Sequence, residues 1–423
     1  MFVKSSLEVK ALKSEFYGGY KMTKIHEVLI VGGGASGLAT ASSLRKRNPQ
    51  LDITVIEPAE KHYYQPGWTM VGAGVFSKEQ TERTMDSVWP SGIKRIKSKV
   101  VTFEPDNSLV TITSGEKISY KTLVVAAGLK LDWEAVEGLE ESLGSNGVTS
   151  NYRYDLAPYT WELVQKMSGK NAIFTQPPMP IKCAGAPQKA MYLSCDEWLR
   201  KGILKDLKVS FCNAGPVLFG CAAYVPGLME YINKYSIDLD FGHNLIKVDG
   251  KAQKAWFKVA KEGSEPEVIE RSFDMLHVCP PQCAPDFIKS SPLANAGGWV
   301  DVDPATLQHT KFKNIFSLGD VCSTANAKTV AAARKQAPIV AQNVISVLNE
   351  STPNIQYDGY GSCPLTVEKG KIILAEFGYG GKLMPTFNWD STKPRRLAWF
   401  LKKSILPTVY WSLMLKGREW LTK

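Results

Sequence analysis

The sequence predicts an α/β protein with two tandem Rossmann-like domains and a C-terminal helical segment at a membrane interface. Three observations support this fold class. A glycine-rich loop near residue 32 joins an apolar run to a helix-forming stretch, further apolar runs alternate with helical stretches between 172 and 279, and the C-terminus is basic and aromatic. Alternating strands and helices are typical of parallel sheets covered by helices on both faces.

The glycine-rich loop has the spacing of a dinucleotide-binding turn. Gly32, Gly34 and Gly37 follow an apolar run in G-x-G-x-x-G order, and Ala35 and Ser36 begin the next helix. The first glycine allows a tight turn, the second lets the backbone approach a pyrophosphate, and the third lets the helix pack on the strand. The helix N-terminus then faces the phosphate charge.

The next strand ends on an acid. The apolar run 53–56 precedes Glu57, which lies 20 residues after Gly37. Its carboxylate can accept hydrogen bonds from ribose hydroxyls. Because a strand precedes the loop, a helix follows it and an acid ends the next strand, the sequence predicts a dinucleotide site rather than a glycine-rich turn without a ligand.

Two later stretches belong to the same nucleotide-binding domain. Residues 120–128 form a buried strand that ends in small residues and Gly128, which let the backbone pass close to a ligand. Residues 314–320 form a strand that ends at Gly319 and Asp320, ahead of a helix predicted over 328–348. An acid in this position can bind the polyol chain of a flavin, and the helix N-terminus can stabilise negative charge on a reduced flavin ring.

Apolar runs between residues 150 and 295 predict a second doubly wound domain. It lacks the glycine fingerprint after its first strand, where the sequence is instead QPPMPIKCAGAPQK, with Cys183 in the loop. We therefore expect that this domain does not bind a nicotinamide cofactor. The predicted boundaries are an N-terminal extension 1–22, an FAD-binding domain 23–149 and 296–354, a second domain 150–295, and a C-terminal segment 355–423.

The net charge of +10 over 423 residues requires an anionic partner. No helix-turn-helix, zinc-finger or RNA-binding signature is present, so nucleic acid is not expected as a partner. The sequence has no uninterrupted run of 18 apolar residues, so we do not expect a membrane-spanning helix. The first 22 residues lack the pattern of a signal peptide. The last thirty residues combine seven Lys or Arg with three Trp, and Pro407 divides them. This composition favours an interfacial helix pair on a membrane surface over a helix packed on its own domain.

These motifs together resemble the sulfide:quinone oxidoreductases, in particular the mitochondrial-type branch that also occurs in bacteria. The resemblance rests on the glycine fingerprint, HYYQP, VVAAG, KCAGAPQK, SLGD and DGYGSCPL, and it covers residues 25 to 420. It implies a glutathione-reductase-like fold, an FAD cofactor and a redox-active pair formed by Cys183 and Cys363. It places FAD contacts at the glycine loop, Glu57, Gln65, the backbone of Val100, Gly128, Gly319, Asp320, Lys328 and Val330. Residues 334–338 are more basic than this resemblance leads us to expect.

The residues around Cys183 support the same chemistry. Lys182 is adjacent and a helix is predicted to start just after, and both features lower a thiol pKa. Cys363 lies in a predicted turn that can fold back over the flavin. We expect hydrosulfide to attack a Cys183–Cys363 disulfide, with the persulfide on Cys363 and the thiolate on Cys183. Cys279 and Cys283 form only half of a zinc site, so no metal is expected.

The expected partners are hydrogen sulfide, a membrane quinone, a small thiol or other sulfur acceptor, and a membrane surface. The protein would lie on an energy-transducing membrane, either the cytoplasmic face of a bacterial inner membrane or the mitochondrial inner membrane. The acceptor, the quinone and the oligomeric state stay open, although a homo-oligomer would enlarge the membrane-facing surface. Two alternatives are a type II NADH:quinone oxidoreductase, which needs a second glycine fingerprint, and a flavin-based sulfide sensor that does not turn over.

Overall fold

The computed structural model describes residues 24–260, 265–420 and 422. The predicted N-terminal extension 1–22 lies outside these residues. Strands before residue 150 form the first sheet and small accessory pairings. They are β1 His26–Val31, β2 Ile53–Ile56, β3 Lys61–Tyr63, β4 Glu82–Thr84, β5 Lys94–Ile96, β6 Val100–Glu104, β7 Leu109–Ile112, β8 Lys117–Val125, β9 Lys130–Leu131 and β10 Val148–Thr149.

The later strands belong to the second sheet, to a small antiparallel sheet and to a terminal hairpin, apart from β19, which returns to the first sheet. They are β11 Asn171–Gln176, β12 Lys208–Asn213, β13 Asp238–Phe241, β14 His243–Asp249, β15 Lys254–Val259, β16 Glu267–Ser272, β17 Met275–His277, β18 Gln282–Cys283, β19 Ile315–Ser317, β20 Gly361–Glu368 and β21 Lys371–Phe377.

Five helices of ten or more residues lie in the described part of the chain. They are α1 Ala35–Arg47, α2 Ala157–Lys166, α3 Ala186–Arg200, α4 Val225–Lys234 and α5 Val330–Leu348. Helix α1 follows the glycine loop as predicted, and α5 begins two residues later than the predicted start at 328. Shorter helices span Trp68–Val71, Met85–Val88, Leu139–Ser142 and Asp286–Lys289.

The first sheet has the order β5-β2-β1-β8-β7-β6, with β19 also paired to β8. Strand β1 is parallel to both β2 and β8, and β19 is parallel to β8. The apolar runs 28–31 and 53–56 therefore lie side by side, and residues near 32, 120 and 320 meet at one sheet although they are far apart in sequence. Residues 28–31 and 53–56 are each at most 4% exposed, and continuous apolar runs are typical of parallel strands that are buried on both faces.

The second sheet is fully parallel, in the order β10-β17-β11-β12-β13. All four predicted strands between 172 and 279 are present in it. The sequence analysis missed the antiparallel sheet β14-β15-β16 that packs beside it. Its outer strand β16, Glu267–Ser272, has the sequence EVIERS and no buried residue, so the strand carries no apolar signal.

The prediction that Cys363 lies in a turn was wrong. Cys363 does not lie in a turn but in strand β20, where it pairs with Ala375 of β21. Because side chains alternate along a strand, the hairpin has two different faces. One face, with Cys363 and Ala375, belongs to a core cluster that includes residues of helix α3. The other face, with Ser362 and Glu376, lines a cleft.

The C-terminal segment also differs from the prediction. Helical turns run without a break from 396 to 416, including two π-helical stretches, Leu401–Ile405 and Val409–Leu413. Pro407 lies in the first turn of the short helix between them, so it does not split the segment into a pair of helices. In the described residues, helices fall short of the length and apolarity that a membrane crossing requires.

Candidate active site

The glycine loop leaves an open space where a phosphate would lie. Gly32 has a φ of +102°, and a Cβ there would come within 2.6 Å of the Ala126 carbonyl oxygen. A Cβ on Gly37 would lie 1.8 Å from the Gly32 oxygen, whereas a Cβ on Gly34 would meet no atom within 4 Å. The first and third glycines are therefore required by close packing, and the second faces open space.

Glu57 holds this loop in place. Its Oε2 accepts a hydrogen bond of 2.6 Å from the Gly33 N–H, and its Oε1 accepts one of 2.7 Å from the Ala59 N–H. The carboxylate at the end of β2 thus lies directly beside the glycine turn. This is the position at which an acid can also contact the ribose of a bound dinucleotide.

The end of β19 approaches the same loop. Gly319 has a φ of +76°, and a Cβ there would lie 2.2 Å from the Ser36 hydroxyl oxygen. Its N–H donates a 2.9 Å hydrogen bond to the Gln336 side chain on α5. Asp320 therefore enters the cleft close to the start of α1. Gly128, with a φ of +72°, also faces open space, and Val100 begins β6 as a buried residue.

A cleft of about 1440 Å³ extends from this region to the hairpin β20–β21 and the C-terminal segment. Most of its surface is apolar. Its walls include Tyr64, Gln65, Trp68, Asn151, Tyr152, Lys182, Cys183, Lys189, Asp320, Lys328, Val330, Arg334, Tyr360, Ser362, Leu374, Glu376, Thr386, Phe387, Leu401, Lys402, Leu406, Val409, Tyr410, Met414 and Trp420. The predicted residues Gln65, Cys183, Asp320, Lys328 and Val330 all lie in this wall. Among described residues, buried polar atoms of Trp68, Thr69 and Asn151 in this wall have no protein partner.

Cys183 has an unusual backbone conformation. Its φ is +47°, which costs a non-glycine residue about 1–2 kcal/mol. The surrounding contacts hold it there: its N–H donates a 2.9 Å hydrogen bond to the Lys328 carbonyl, and its own carbonyl accepts one of 2.7 Å from Ala186 at the start of α3. The cysteine thus lies just before a helix N-terminus, as predicted. Its loop is joined to the segment ahead of α5 through Lys328.

The two predicted cysteines meet although 180 residues separate them. Cys183 packs against the core cluster that contains Cys363, and the two thiol groups hydrogen-bond to each other. Gly185 permits this approach, since a Cβ there would lie 2.3 Å from Leu365 and 3.9 Å from the Cys363 Cβ. All eight cysteines are free thiols. The fold therefore makes the two thiols neighbours.

Charged groups make the two thiols unequal. The Lys189 ammonium, one helix turn into α3, lies 3.0 Å from the Cys183 sulfur. The hydrogen bond from Cys363, followed by the charge of Lys189, holds the pKa of Cys183 well below the ordinary thiol value, although burial opposes this shift. The same hydrogen bond to Cys183, together with burial, raises the pKa of Cys363 well above it. These opposite shifts favour the thiolate on Cys183 over Cys363.

A second lysine approaches the pair from the C-terminal segment. Lys402 is only 5% exposed and donates hydrogen bonds to the Pro364 carbonyl at 3.3 Å and to the Thr366 hydroxyl at 3.0 Å. Burial and the charge of Lys189 lower the pKa of Lys402 well below its usual value. This lysine does not face a membrane, contrary to what the composition of the segment led us to expect.

Lys182 and Lys328 organise the wall beside Cys183. The Lys182 ammonium donates a 2.6 Å hydrogen bond to the Gln65 side chain and lies over the Trp68 ring at 5.7 Å. The Lys328 ammonium donates 2.8 Å hydrogen bonds to the carbonyls of Asp320 and Cys322. Burial raises the pKa of Asp320, and the two lysines oppose that shift. The side chain of Lys328 thus secures the loop after β19.

Cys212 and Cys279 are poorly suited to thiolate chemistry. Burial raises the pKa of Cys212 and of Cys279 to about 12 in each case. No group of three or more His, Cys, Asp and Glu side chains placed to hold a metal ion occurs in the described residues. His62 is buried against the Tyr410 hydroxyl at 2.6 Å, and His243 contacts Arg271 outside the cleft.

Comparison with known proteins supports the dinucleotide-type fold. Residues 26–159 match the pyridine nucleotide-disulphide oxidoreductase family. The mitochondrial sulfide:quinone oxidoreductase of Dictyostelium discoideum is 42% identical over 402 residues, covering 94% of this chain and 88% of the relative. The mouse mitochondrial enzyme of the same name is 39% identical, over 93% of this chain and 87% of the relative.

The chain belongs to the sulfide:quinone oxidoreductase family. A solved structure of the sulfide:quinone oxidoreductase from Aquifex aeolicus shares its fold, with a TM-score of 0.78 and 22% identity over 93% of this chain and 92% of that one. The resemblance stated from sequence motifs is therefore confirmed, and so is the tandem Rossmann-like fold. Membership of this family, together with the glycine loop, identifies FAD as the cofactor.

The residues present fit FAD. Gly34 leaves open space above the N-terminus of α1, Glu57 lies beside the loop, and the unpartnered polar atoms of Asn151 and Thr69 line the cleft that would hold the flavin ring. The second sheet has no corresponding glycine loop after β11. A dinucleotide therefore fits the first sheet and not the second.

Sequence reasoning missed the cations and carboxylate that complete the cleft. Lys189 lies within the quoted motif KCAGAPQK, six residues after Cys183, so its position early on a helix was available as a signal. Lys402 and Glu376 gave no such signal. They reach the cleft only through the packing of the C-terminal segment and the register of β20 with β21.

Proposed function

We propose that this protein oxidises hydrogen sulfide and passes the electrons through FAD to a membrane quinone. The observation that carries the proposal is the meeting of Cys183 and Cys363 at a cleft bounded by the FAD-type sheet and the C-terminal segment. The relatives named as sulfide:quinone oxidoreductases cover nearly the whole chain and support the same reaction. The second domain lacks the loop that an NADH-dependent enzyme of this fold requires.

The sulfur chemistry follows from the unequal thiols. Hydrosulfide attacks Cys363 in a Cys183–Cys363 disulfide, the new sulfur–sulfur bond forms on Cys363, and the electron pair of the broken bond stays on Cys183. Lys189 at 3.0 Å stabilises the Cys183 thiolate and makes it the better leaving group. A thiol or another nucleophile then removes the outer sulfur and leaves a thiolate on Cys363. The two thiolates lose two electrons when the disulfide forms again. Bound FAD would supply the acceptor for these two electrons and the route by which they reach the quinone.

The two faces of the hairpin also favour a persulfide on Cys363 and a thiolate on Cys183. Cys183 lines the cleft, whereas Cys363 points to the opposite face of β20, toward α3. We therefore place Cys183 on the flavin side and the persulfide on Cys363. For the cofactor itself, we propose contacts at Gly32, Gly34, Ala35, Ser36, Gly37, Glu57, Gln65, Val100, Gly128, Gly319, Asp320, Lys328 and Val330, with the domain boundaries predicted from the sequence.

The C-terminal segment supports membrane docking. Leu397 and Phe400 are 59% and 53% exposed, and the basic residues Arg396 and Lys403 are exposed beside them. Apolar side chains flanked by cations are typical of helices that lie in a lipid headgroup region. Because this segment also forms one wall of the cleft, a quinone could enter from the membrane. The names of the relatives favour the mitochondrial inner membrane.

An anaerobic sulfide titration of the purified holoenzyme tests the proposal. Sulfide should bleach the flavin absorbance of the wild-type protein, and decylubiquinone should restore it. Cys183→Ser and Cys363→Ser should each abolish bleaching, whereas Cys195→Ser, which changes a buried cysteine of α3, should not. Bleaching by NADH and not by sulfide would contradict the proposal. Bleaching by sulfide without reduction of decylubiquinone would favour the sensor.

A further inference from the structure

The cleft contains a buried carboxylate that the sulfur chemistry does not use. Glu376 is 3% exposed and lies on the cleft face of β21. Its Oε1 accepts a 2.6 Å hydrogen bond from the Tyr360 hydroxyl, and its Oε2 accepts one of 3.0 Å from the Thr386 N–H. The Thr386 hydroxyl also donates to Oε1. This carboxylate therefore has three donors among the described residues.

Cations lie on the other side of the same tyrosine. The Arg334 guanidinium, in the second turn of α5, hydrogen-bonds to Tyr360, and the Lys335 ammonium lies 5.1 Å from its ring. Burial, followed by the charge of Glu376, raises the pKa of Tyr360. The hydroxyl consequently keeps its proton at neutral pH and is a hydrogen-bond donor. These are also the residues, 334 and 335, at which the chain is more basic than its family resemblance led us to expect.

Burying the charged side chains of Glu376 and Arg334 beside Tyr360 in an apolar wall costs free energy of folding. Apolar residues line the same cleft, among them Leu374, Phe387, Leu406 and Val409. A buried ion costs several kcal/mol of desolvation, and apolar residues of similar volume usually serve folding as well. An apolar pocket with a few convergent polar groups is instead the usual form of a site for a small, mostly apolar ligand.

We propose that the Tyr360 hydroxyl donates a hydrogen bond to a carbonyl oxygen of the quinone headgroup. This inference rests on the proposed function, since it assigns the quinone to this cleft. A quinone has carbonyl acceptors and no strong donors, so the protein must supply the donor. Glu376 and Arg334 are positioning residues that hold the phenol ring on either side.

To donate to a ligand, the Tyr360 hydroxyl must turn its hydrogen bond away from the Glu376 carboxylate. A tyrosine hydroxyl rotates about its C–O bond, and Glu376 would keep both hydrogen bonds from Thr386. Two other tyrosines of the cleft, Tyr410 and Tyr152, are less suitable. The Tyr410 hydroxyl bonds to buried His62 at 2.6 Å, and turning it toward a ligand would leave that imidazole without this contact. The Tyr152 hydroxyl donates to the backbone carbonyl of Lys182 at 3.2 Å and supports the cysteine loop.

The test is the equilibrium affinity of the oxidised holoenzyme for decylubiquinone, followed by quenching of tryptophan fluorescence. Tyr360→Phe should raise the dissociation constant about fivefold, as expected for the loss of one neutral hydrogen bond. Its KM for decylubiquinone should rise by the same factor. Glu376→Gln keeps an acceptor for the phenol and should change the affinity less than Tyr360→Phe does. Tyr379→Phe, which removes a 2.9 Å hydrogen bond to the Pro304 carbonyl outside the cleft, is the matched control and should bind normally.

Flavin bleaching by sulfide separates this inference from the proposed function. The rate in Tyr360→Phe should equal the wild-type rate, because Cys363 points to the other face of the hairpin. An unchanged dissociation constant in Tyr360→Phe, an equal loss in Tyr379→Phe, or an equal slowing of bleaching would overturn the inference. A wild-type protein that binds decylubiquinone but is not bleached by sulfide would overturn the proposed function and leave the hydrogen bond from Tyr360 supported.

Discussion

Replacing Lys189 with methionine should convert Cys183 from a thiolate into an ordinary buried thiol at moderately acidic pH. The Lys189 ammonium lies 3.0 Å from the sulfur; Lys189 is 4% exposed and Cys183 is half-buried. An opposite charge at this range lowers the pKa of an acid by about 1–3 units. The hydrogen bond from Cys363 is the larger cause of the shift and survives in the variant. We therefore expect Lys189→Met to raise the Cys183 pKa by about 1–2 units, equivalent to about 1.4–2.7 kcal/mol.

The assay is alkylation of the reduced holoenzyme by iodoacetamide from about pH 5 to about pH 9, a window that brackets protein thiol pKa values. Peptide mapping gives the rate at Cys183 alone. The wild-type rate should be nearly independent of pH, whereas the rate in Lys189→Met should fall about tenfold per pH unit below its raised pKa. Lys369→Met is the matched control, because Lys369 pairs with Glu197 at 2.7 Å instead of with a thiol. A flat profile in Lys189→Met, or an equal shift in Lys369→Met, would refute the electrostatic assignment.

Three further predictions concern other parts of the molecule. Burial lowers the pKa of His62 to about 4. As the pH falls from about 6.5 to about 4, the unfolded chain binds a proton at His62 that the folded protein does not bind, so the free energy of unfolding should fall by about 3 kcal/mol. His62→Asn should flatten the pH dependence of the urea midpoint. Gly37→Ala would place a Cβ 1.8 Å from a backbone oxygen and should purify without flavin absorbance, whereas Gly220→Ala, with nothing within 4 Å, should retain it. Replacing Leu397 and Phe400 together with serine should abolish sedimentation with anionic vesicles and leave flavin bleaching by sulfide unchanged; sedimentation equal to wild type would contradict membrane docking through this face.

The FAD-type sheet was predictable because its signals are local. The strand 53–56 has the bounds predicted from its apolar run, and the glycines are fixed by contacts within the loop and with the adjacent strand. Cys363 was misplaced because Gly359, Gly361 and Pro364 surround it with turn-forming residues. Proline is tolerated here because β20 pairs on one side only, with β21, so its missing N–H need not interrupt a central strand.

The faces of the C-terminal segment could not be predicted from composition or from a helical wheel. Two π-helical stretches, 401–405 and 409–413, interrupt the ordinary helical period. Because a π-helix has more residues per turn than an α-helix, each stretch rotates the following side chains relative to the α-helical pattern. Lys402 consequently turns into the protein beside the thiol pair, and Lys403 next to it stays exposed. Counting both as membrane-facing cations was wrong for this reason.

The register of β20 against β21 links the two halves of the proposed reaction. Cys363 pairs with Ala375 on the face toward α3, and Ser362 pairs with Glu376 on the face toward the cleft. A slip of one residue in β20 would turn Cys363 away from α3 and toward the cleft, since side chains alternate along a strand. The hairpin can therefore present a sulfur site on one face and the quinone side of the cleft on the other only in the register observed. In the proposed reaction, this separation would let a quinone bind while the persulfide remains on Cys363.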